Sequence, residues 1–142
     1  MKRAVVRFAL LFAVASIAGA SSIQAQESDT RAAQASVEAW LSLIDTQNYS
    51  ASWDTAASFF RARVSQAQWQ TAAQTARSAF GQLKSRALKS VKATKTLPGA
   101  PDGEYVVFEY TTSLEQKAAA VETVTAMREM DGTWHVAGYF IK

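Results

Sequence analysis

The sequence predicts an α+β fold in which three helices precede a four-stranded antiparallel meander and pack on it. Two observations predict this. Apolar residues recur at steps of three and four as far as Gly81 and then switch to alternation. The connections between the alternating segments are also short, which makes consecutive strands antiparallel neighbours.

The first helix has Ser28, Asp29 or Thr30 as candidate caps and a face of Ala33, Val37, Trp40, Leu41 and Ile44. A polar connection over residues 45–52 precedes a shorter helical face of Trp53, Ala56, Ala57 and Phe60. Ser65 reads as the N-cap of the third helix, which carries Trp69, Ala72, Ala73, Ala76 and Phe80 and stops at Gly81.

The first strand, residues 85–97, alternates imperfectly, with Ala87, Val91 and Ala93 on one side. Residues 104–113 are rich in β-formers. Between these strands, Pro98-Gly99 suits a type II turn and Pro101-Asp102-Gly103 a second one. This loop reads as topology first, with Asp102 its one residue worth mutating to test binding. In residues 119–130, Val121, Thr123, Thr125 and Met127 oppose Glu122, Val124, Ala126 and Arg128. Asp131-Gly132 predicts a two-residue type I′ turn. After it, Trp134, Val136, Gly138 and Phe140 oppose His135, Ala137, Tyr139 and Ile141. Several strands are apolar on both faces, so a homodimer partner through the sheet or a ligand cavity is expected to cover the second face.

Residues 1–25 read as a secretory signal peptide and 26–142 as a single domain. Lys2, Arg3 and Arg7 form a basic head, residues 8–18 an apolar run, and small residues follow. Cleavage after Ala25 is preferred to cleavage after Ala20. The run falls short of the roughly 20 apolar residues that span a bilayer, so no membrane association is expected after cleavage. The expected destination is the periplasm or the exterior. Without those three charges the chain holds 12 basic and 12 acidic residues, so the net charge of +3 belongs to the leader.

Composition excludes several chemistries. Without cysteine there is no disulfide, thiolate nucleophile or lipid attachment. The six glycines form no phosphate-binding loop, and no serine sits in a nucleophile elbow. His135, the one histidine, lacks companions for metal ligation or an orienting partner for base catalysis. No cofactor and no metal are expected. Residues 55–101 hold eight basic residues and no acid, whereas 102–131 hold seven acids. Neighbouring strands of opposite charge pair across a sheet and cancel long-range attraction to phosphate, so nucleic acid is not an expected partner.

The order of "VEAWLSLIDTQNYSASWDTAASFFRARVSQAQW", the LPGAPDGEY segment and the tail ETVTAMREMDGTWHVAGYF resembles the bacterial family called domain of unknown function 4019 (DUF4019). The resemblance covers residues 32–142 and implies an exported α+β domain without established activity. The layout also resembles the cone-shaped superfamily of nuclear transport factor 2, whose helices wrap a curved sheet around a pocket. Enzymes of that superfamily often use Asp/His or Asp/Tyr arrangements, but no position here matches one, so no catalytic residue is carried over.

The leading expectation is a non-enzymatic domain that binds a small ligand or a protein. Its candidate aromatic lining is Tyr49, Trp53, Trp69, Tyr105, Tyr110 and Tyr139. Tryptophans at such spacing also read as plain core. One alternative is a lyase or isomerase with Asp45 or Asp54 as base and a tyrosine as proton donor, which needs a carboxyl group buried among aromatics. Another is a purely structural module with a packed interior.

Overall fold

The computed structural model describes the chain from Ala18 to Lys142, with side chains from residue 21. Its elements are α1 (Ala18–Asp45), α2 (Tyr49–Asp54), α3 (Ser58–Arg63), α4 (Gln66–Phe80), β1 (Leu83–Thr94), β2 (Tyr105–Leu114), β3 (Lys117–Arg128) and β4 (Trp134–Ile141). The sheet order is β1-β2-β3-β4, antiparallel throughout, which is the expected meander. The basic head and most of the apolar run of the expected leader lie outside the described residues. Among the described residues, no helix is long and apolar enough to cross a membrane.

The first helix carries its apolar stripe where the periodicity places it. Ala33, Val37, Trp40, Leu41 and Ile44 are all nearly inaccessible. The helix starts earlier than its candidate caps, however, so Ser28 and Thr30 are interior and bond back to the carbonyls of Ala25 and Gln26. It ends in a Schellman motif, with Asn48 N–H donating to the Leu43 carbonyl and Gln47 N–H to that of Ile44. Gln47 takes the left-handed position (φ +60°) where glycine is usual.

The second helical face resolves into two short helices of six residues each, making four helices among the described residues where three were expected. The break after Asp54 lets the Ala57 amide donate to the Val136 carbonyl at 2.8 Å, which covers the free edge of β4. Glu129, from the β3–β4 loop, then holds the start of α3 by accepting from both the amide and the hydroxyl of Ser58. In α4, Ser65 and Gln68 form a reciprocal capping box. The buried stripe of α4 is Trp69, Ala73 and Arg77, whereas Ala72 is exposed. Gly81 ends the helix at φ +78°, and a side chain there would collide with Glu115.

The turn at Pro98-Gly99 forms as its residues dictate, with Ala100 N–H donating to the Leu97 carbonyl and Gly99 at φ +75°. The β3–β4 connection does not. A type I′ turn requires positive φ at both central residues, but of Asp131 and Gly132 only the glycine has it. Gly132 N–H instead donates to the Glu129 carbonyl and Glu129 N–H to that of Thr133, closing a wider loop. The Asp131 carboxylate tightens it by accepting from the Thr133 amide and hydroxyl.

A bulge in β4 also corrects the sequence reading. Thr125 pairs with Gly138 and Ala126 with Val136, which leaves Ala137 as the extra residue. The alternation changes phase there. Tyr139 therefore joins Trp134 and Val136 on the helix side, and Phe140 turns to the outer face at 59% exposure.

The helix side of β2, β3 and β4 is filled. Trp40, Trp69 and Tyr139 contact one another with ring centroids 5.3–6.4 Å apart, and Phe60 meets Trp69 edge-on. The indoles of Trp40 and Trp69 find acceptors on Ser52, Trp40 at its carbonyl and Trp69 at its hydroxyl. Opposite charges pair across β1 and β2 as expected, with Lys89 and Glu109 2.8 Å apart.

Candidate functional site

At one end of this aromatic core the interior turns ionic. Glu122 on β3 is completely buried, on the same face as Val124 and Ala126. Bringing a carboxylate there is costly unless its lone pairs are met. Donors from the other three strands meet them. Arg86 on β1 donates to both Glu122 oxygens (Nε to Oε1, 2.8 Å; Nη2 to Oε2, 3.3 Å). Thr112 on β2 donates at 2.6 Å and Tyr139 on β4 at 2.5 Å.

The same Arg86 reaches across to the C-terminal end of α1. Its two Nη groups grip Asp45 in a bidentate pair of 2.7 and 2.9 Å. Arg77, delivered by the buried stripe of α4, donates to Asp45 at 3.1 Å and lies 3.9 Å from Glu122. Two guanidinium groups thus sit between two carboxylates, and the cluster is neutral.

The environment shows in the titration of these groups. Burial alone would depress the Arg86 pKa, but hydrogen bonds and charge from Asp45 and Glu122 outweigh it and hold it above its ordinary value. Burial, reinforced by the charge and hydrogen bond of Glu122, pushes the Tyr139 pKa well above the usual 10. Burial, then the charge of Glu38, pushes Tyr110 up to about 12.

Among the described residues, two buried side-chain polar atoms lack a protein partner, the Arg77 Nε and the Tyr110 hydroxyl. Arg77 is 5% exposed and lines a cavity of about 290 Å³ at this end of the domain. Asp45, Gln47 and Tyr49 from the α1–α2 corner form one wall, and Ser78, Gly81 and Gln82 from the α4–β1 junction the other. Both corners are fixed. The Schellman motif sets the first, and the β2–β3 hairpin pins the second through Glu115 N–H to the Gln82 carbonyl and Gln116 N–H to that of Phe80.

The six aromatic candidates do not surround one space. Tyr49 lines this cavity, and burial raises its pKa. Trp69 and Tyr139 belong to the packed core, with Tyr139 binding Glu122. Trp53 lies at the margin of that core, its indole donating to the Val64 carbonyl. Tyr110 is buried over the sheet. Tyr105 is turned to the opposite face, donates to the Pro101 carbonyl and lines a separate cavity of about 210 Å³ with Leu97, Pro98 and Gly138.

The remaining candidates are scattered as well. Asp54 is exposed and accepts from Gln66, and Asp102 is exposed. His135 lies between the Thr55 carbonyl and the Thr133 hydroxyl. Among the described residues, no group of His, Asp or Glu side chains could hold a metal ion. Sequence reasoning missed Arg77, Arg86, Thr112 and Glu122. A signal existed for two of them: Arg77 continues the Trp69–Ala73 spacing, and Glu122 is an acid on an apolar strand face.

A family model described as "Protein of unknown function (DUF4019)" matches residues 36–139. The chain belongs to the DUF4019 family. The match runs from the middle of α1 to Tyr139, so it includes all six residues of the ionic network. No curated protein and no solved structure matches the chain. In this DUF4019 chain, then, the site itself must carry the functional argument.

Proposed function

We propose that this DUF4019 protein is an exported, non-enzymatic domain that binds a small polar molecule in the cavity beside Arg77. The observation that carries this reading is Arg77, a buried cation that lines the cavity and whose Nε has no hydrogen-bond partner among the described residues. A buried donor left unpaired costs about 1–3 kcal/mol, which a bound acceptor oxygen would recover. Its neighbours Tyr49, Gln47 and Gln82 offer further hydrogen-bonding groups. Because Asp45 and Arg77 already neutralise one another, an uncharged carbonyl- or hydroxyl-bearing ligand suits the site better than an ion.

Catalysis is the weaker reading. The Asp45 oxygens already accept three guanidinium N–H bonds, which leaves little capacity for proton abstraction. A fragment set of neutral amides and polyols, matched with carboxylates and followed by amide chemical shifts, tests the proposal. Saturable shifts at Gln47, Gly81 and Gln82 with neutral fragments are expected. Shifts with carboxylates alone, or none, would refute it.

The second sheet face is assigned to another copy of the chain, on the ground that the β4 bulge turns Phe140 outward at 59% exposure. Sedimentation of wild type and Phe140→Asp checks this. A dimer abolished by the substitution is expected, and a monomeric wild type would contradict it.

A further inference from the structure

The two edges of the sheet are treated differently. The β4 edge is covered by the Ala57 amide and by α3, whereas β1 is open. Among the described residues, no backbone hydrogen bond from another segment reaches the outer edge of β1 between Leu83 and Thr94. At twelve residues this is a long edge to leave unpaired, since strands commonly run about five or six.

The helix-side face of β1 is open too. Packing of α1 falls on β4, β3 and β2. Leu88 and Val91, opposite the buried Tyr110 and Phe108, are left 41% and 40% exposed. The bulge at Lys89 is what brings these two residues to the same face. The Tyr110 hydroxyl, beneath this strip, is buried and has no hydrogen-bond partner among the described residues.

Charge selects what can lie here. Lys84, Lys92 and Lys95 are exposed and form no ion pair with the described residues, while Lys89 and Arg86 are paired within the sheet. Lysines on an edge block pairing with a like strand, so β1 against β1 of a second copy would set lysine against lysine. The same lysines favour an added strand that carries carboxylates.

We propose that the open edge of β1 accepts an extended acidic segment of a partner protein as a fifth strand, its apolar side chains resting on Leu88 and Val91 and its carboxylates facing Lys84, Lys92 and Lys95. Backbone hydrogen bonds supply the affinity in this mode of recognition, and the alternating side chains supply the selectivity.

The test titrates the isotopically labelled protein with the peptide acetyl-Glu-Val-Glu-Leu-Glu-Val-Glu-amide and with its counterpart in which lysine replaces each glutamate. Expected are shifts and slowed amide exchange confined to residues 83–95, with the acidic peptide bound at least about tenfold tighter in low salt. The triple variant Lys84→Glu, Lys92→Glu, Lys95→Glu should reverse that preference. Because all three side chains are exposed, its fold can be verified from unchanged shifts outside β1. Equal binding of both peptides, or no shift in β1 with either, would overturn the proposal. So would a protein that, without peptide, already dimerises through β1 with protected edge amides.

Discussion

Tyr139 on β4 donates a 2.5 Å hydrogen bond to Glu122 on β3, although the residue opposite Tyr139 is Val124 and the residue opposite Glu122 is Ile141. The contact is diagonal, and the extra Ala137 upstream makes it possible. Without that bulge Tyr139 would face outward and the deepest carboxylate of the domain would lose one of its donors.

The ionic network should therefore behave as one unit. Glu122→Gln removes the charge that faces two buried guanidinium groups and is expected to cost about 3–5 kcal/mol. Tyr139→Phe removes one donor and should cost about 1–3 kcal/mol. The double variant is expected to cost less than the two losses together, because both act on one hydrogen-bonded carboxylate. Urea denaturation of the four proteins measures this.

Alkaline pH should unfold the domain cooperatively. Burial raises the pKa of all four tyrosines, with Tyr110 at about 12 and Tyr139 further from the usual value of 10. Above pH 10 the unfolded chain has released tyrosine protons that the folded chain keeps, so the unfolded state is favoured. The stability is whole below pH 10 and falls as pH rises through 12, by about 1.4 kcal/mol per pH unit for each retained proton. Tyrosinate absorbance and circular dichroism, followed together, should change in one step. A smooth tyrosine titration near pH 10 with an intact fold would contradict it.

The helical periodicity of the first half was legible because the buried stripe of α1 is purely apolar. The strand faces of β3 were legible because Val121 to Arg128 alternate without interruption, although the buried face includes Glu122. The site was less so. Arg86 reads as one more member of a charged strand and Arg77 as one of eight basic residues in a stretch without acids, where its continuation of the Trp69–Ala73 spacing is the one local sign that helix α4 buries it. Nor does sequence alternation announce a bulge: Gly138 alone hints at one, and the phase change after Ala137 is set by pairing with β3 and by closure of the edge by Ala57. The helix break at residues 55–57 likewise answers to that tertiary hydrogen bond.

Gln47 occupies a left-handed position that costs an L-residue roughly 1–2 kcal/mol, partly offset by the greater freedom glycine has when unfolded. Gln47→Gly is expected to raise stability by about 0.5–1 kcal/mol in urea titrations. Because Gln47 also walls the cavity, the same substitution should weaken fragment binding while strengthening the fold.

Removal of residues 1–25 should leave stability within about 0.5 kcal/mol of the longer chain. The side chains at positions 21–25 are exposed, and the buried stripe begins at Ala33. Thermal melts of the chain beginning at Gln26 test this. Mass spectrometry of exported protein should find that same first residue.

The most direct measurement follows the side-chain Nε–H resonances of Arg77 and Arg86 while a neutral fragment that binds the protein is titrated to saturation. Arg86 Nε is already held by Glu122 at 2.8 Å and Arg77 Nε is unpartnered. The Arg77 signal is expected to shift saturably, with the Arg86 signal staying in place. A shift at Arg86 alone, or at neither arginine, would contradict a ligand site built on Arg77.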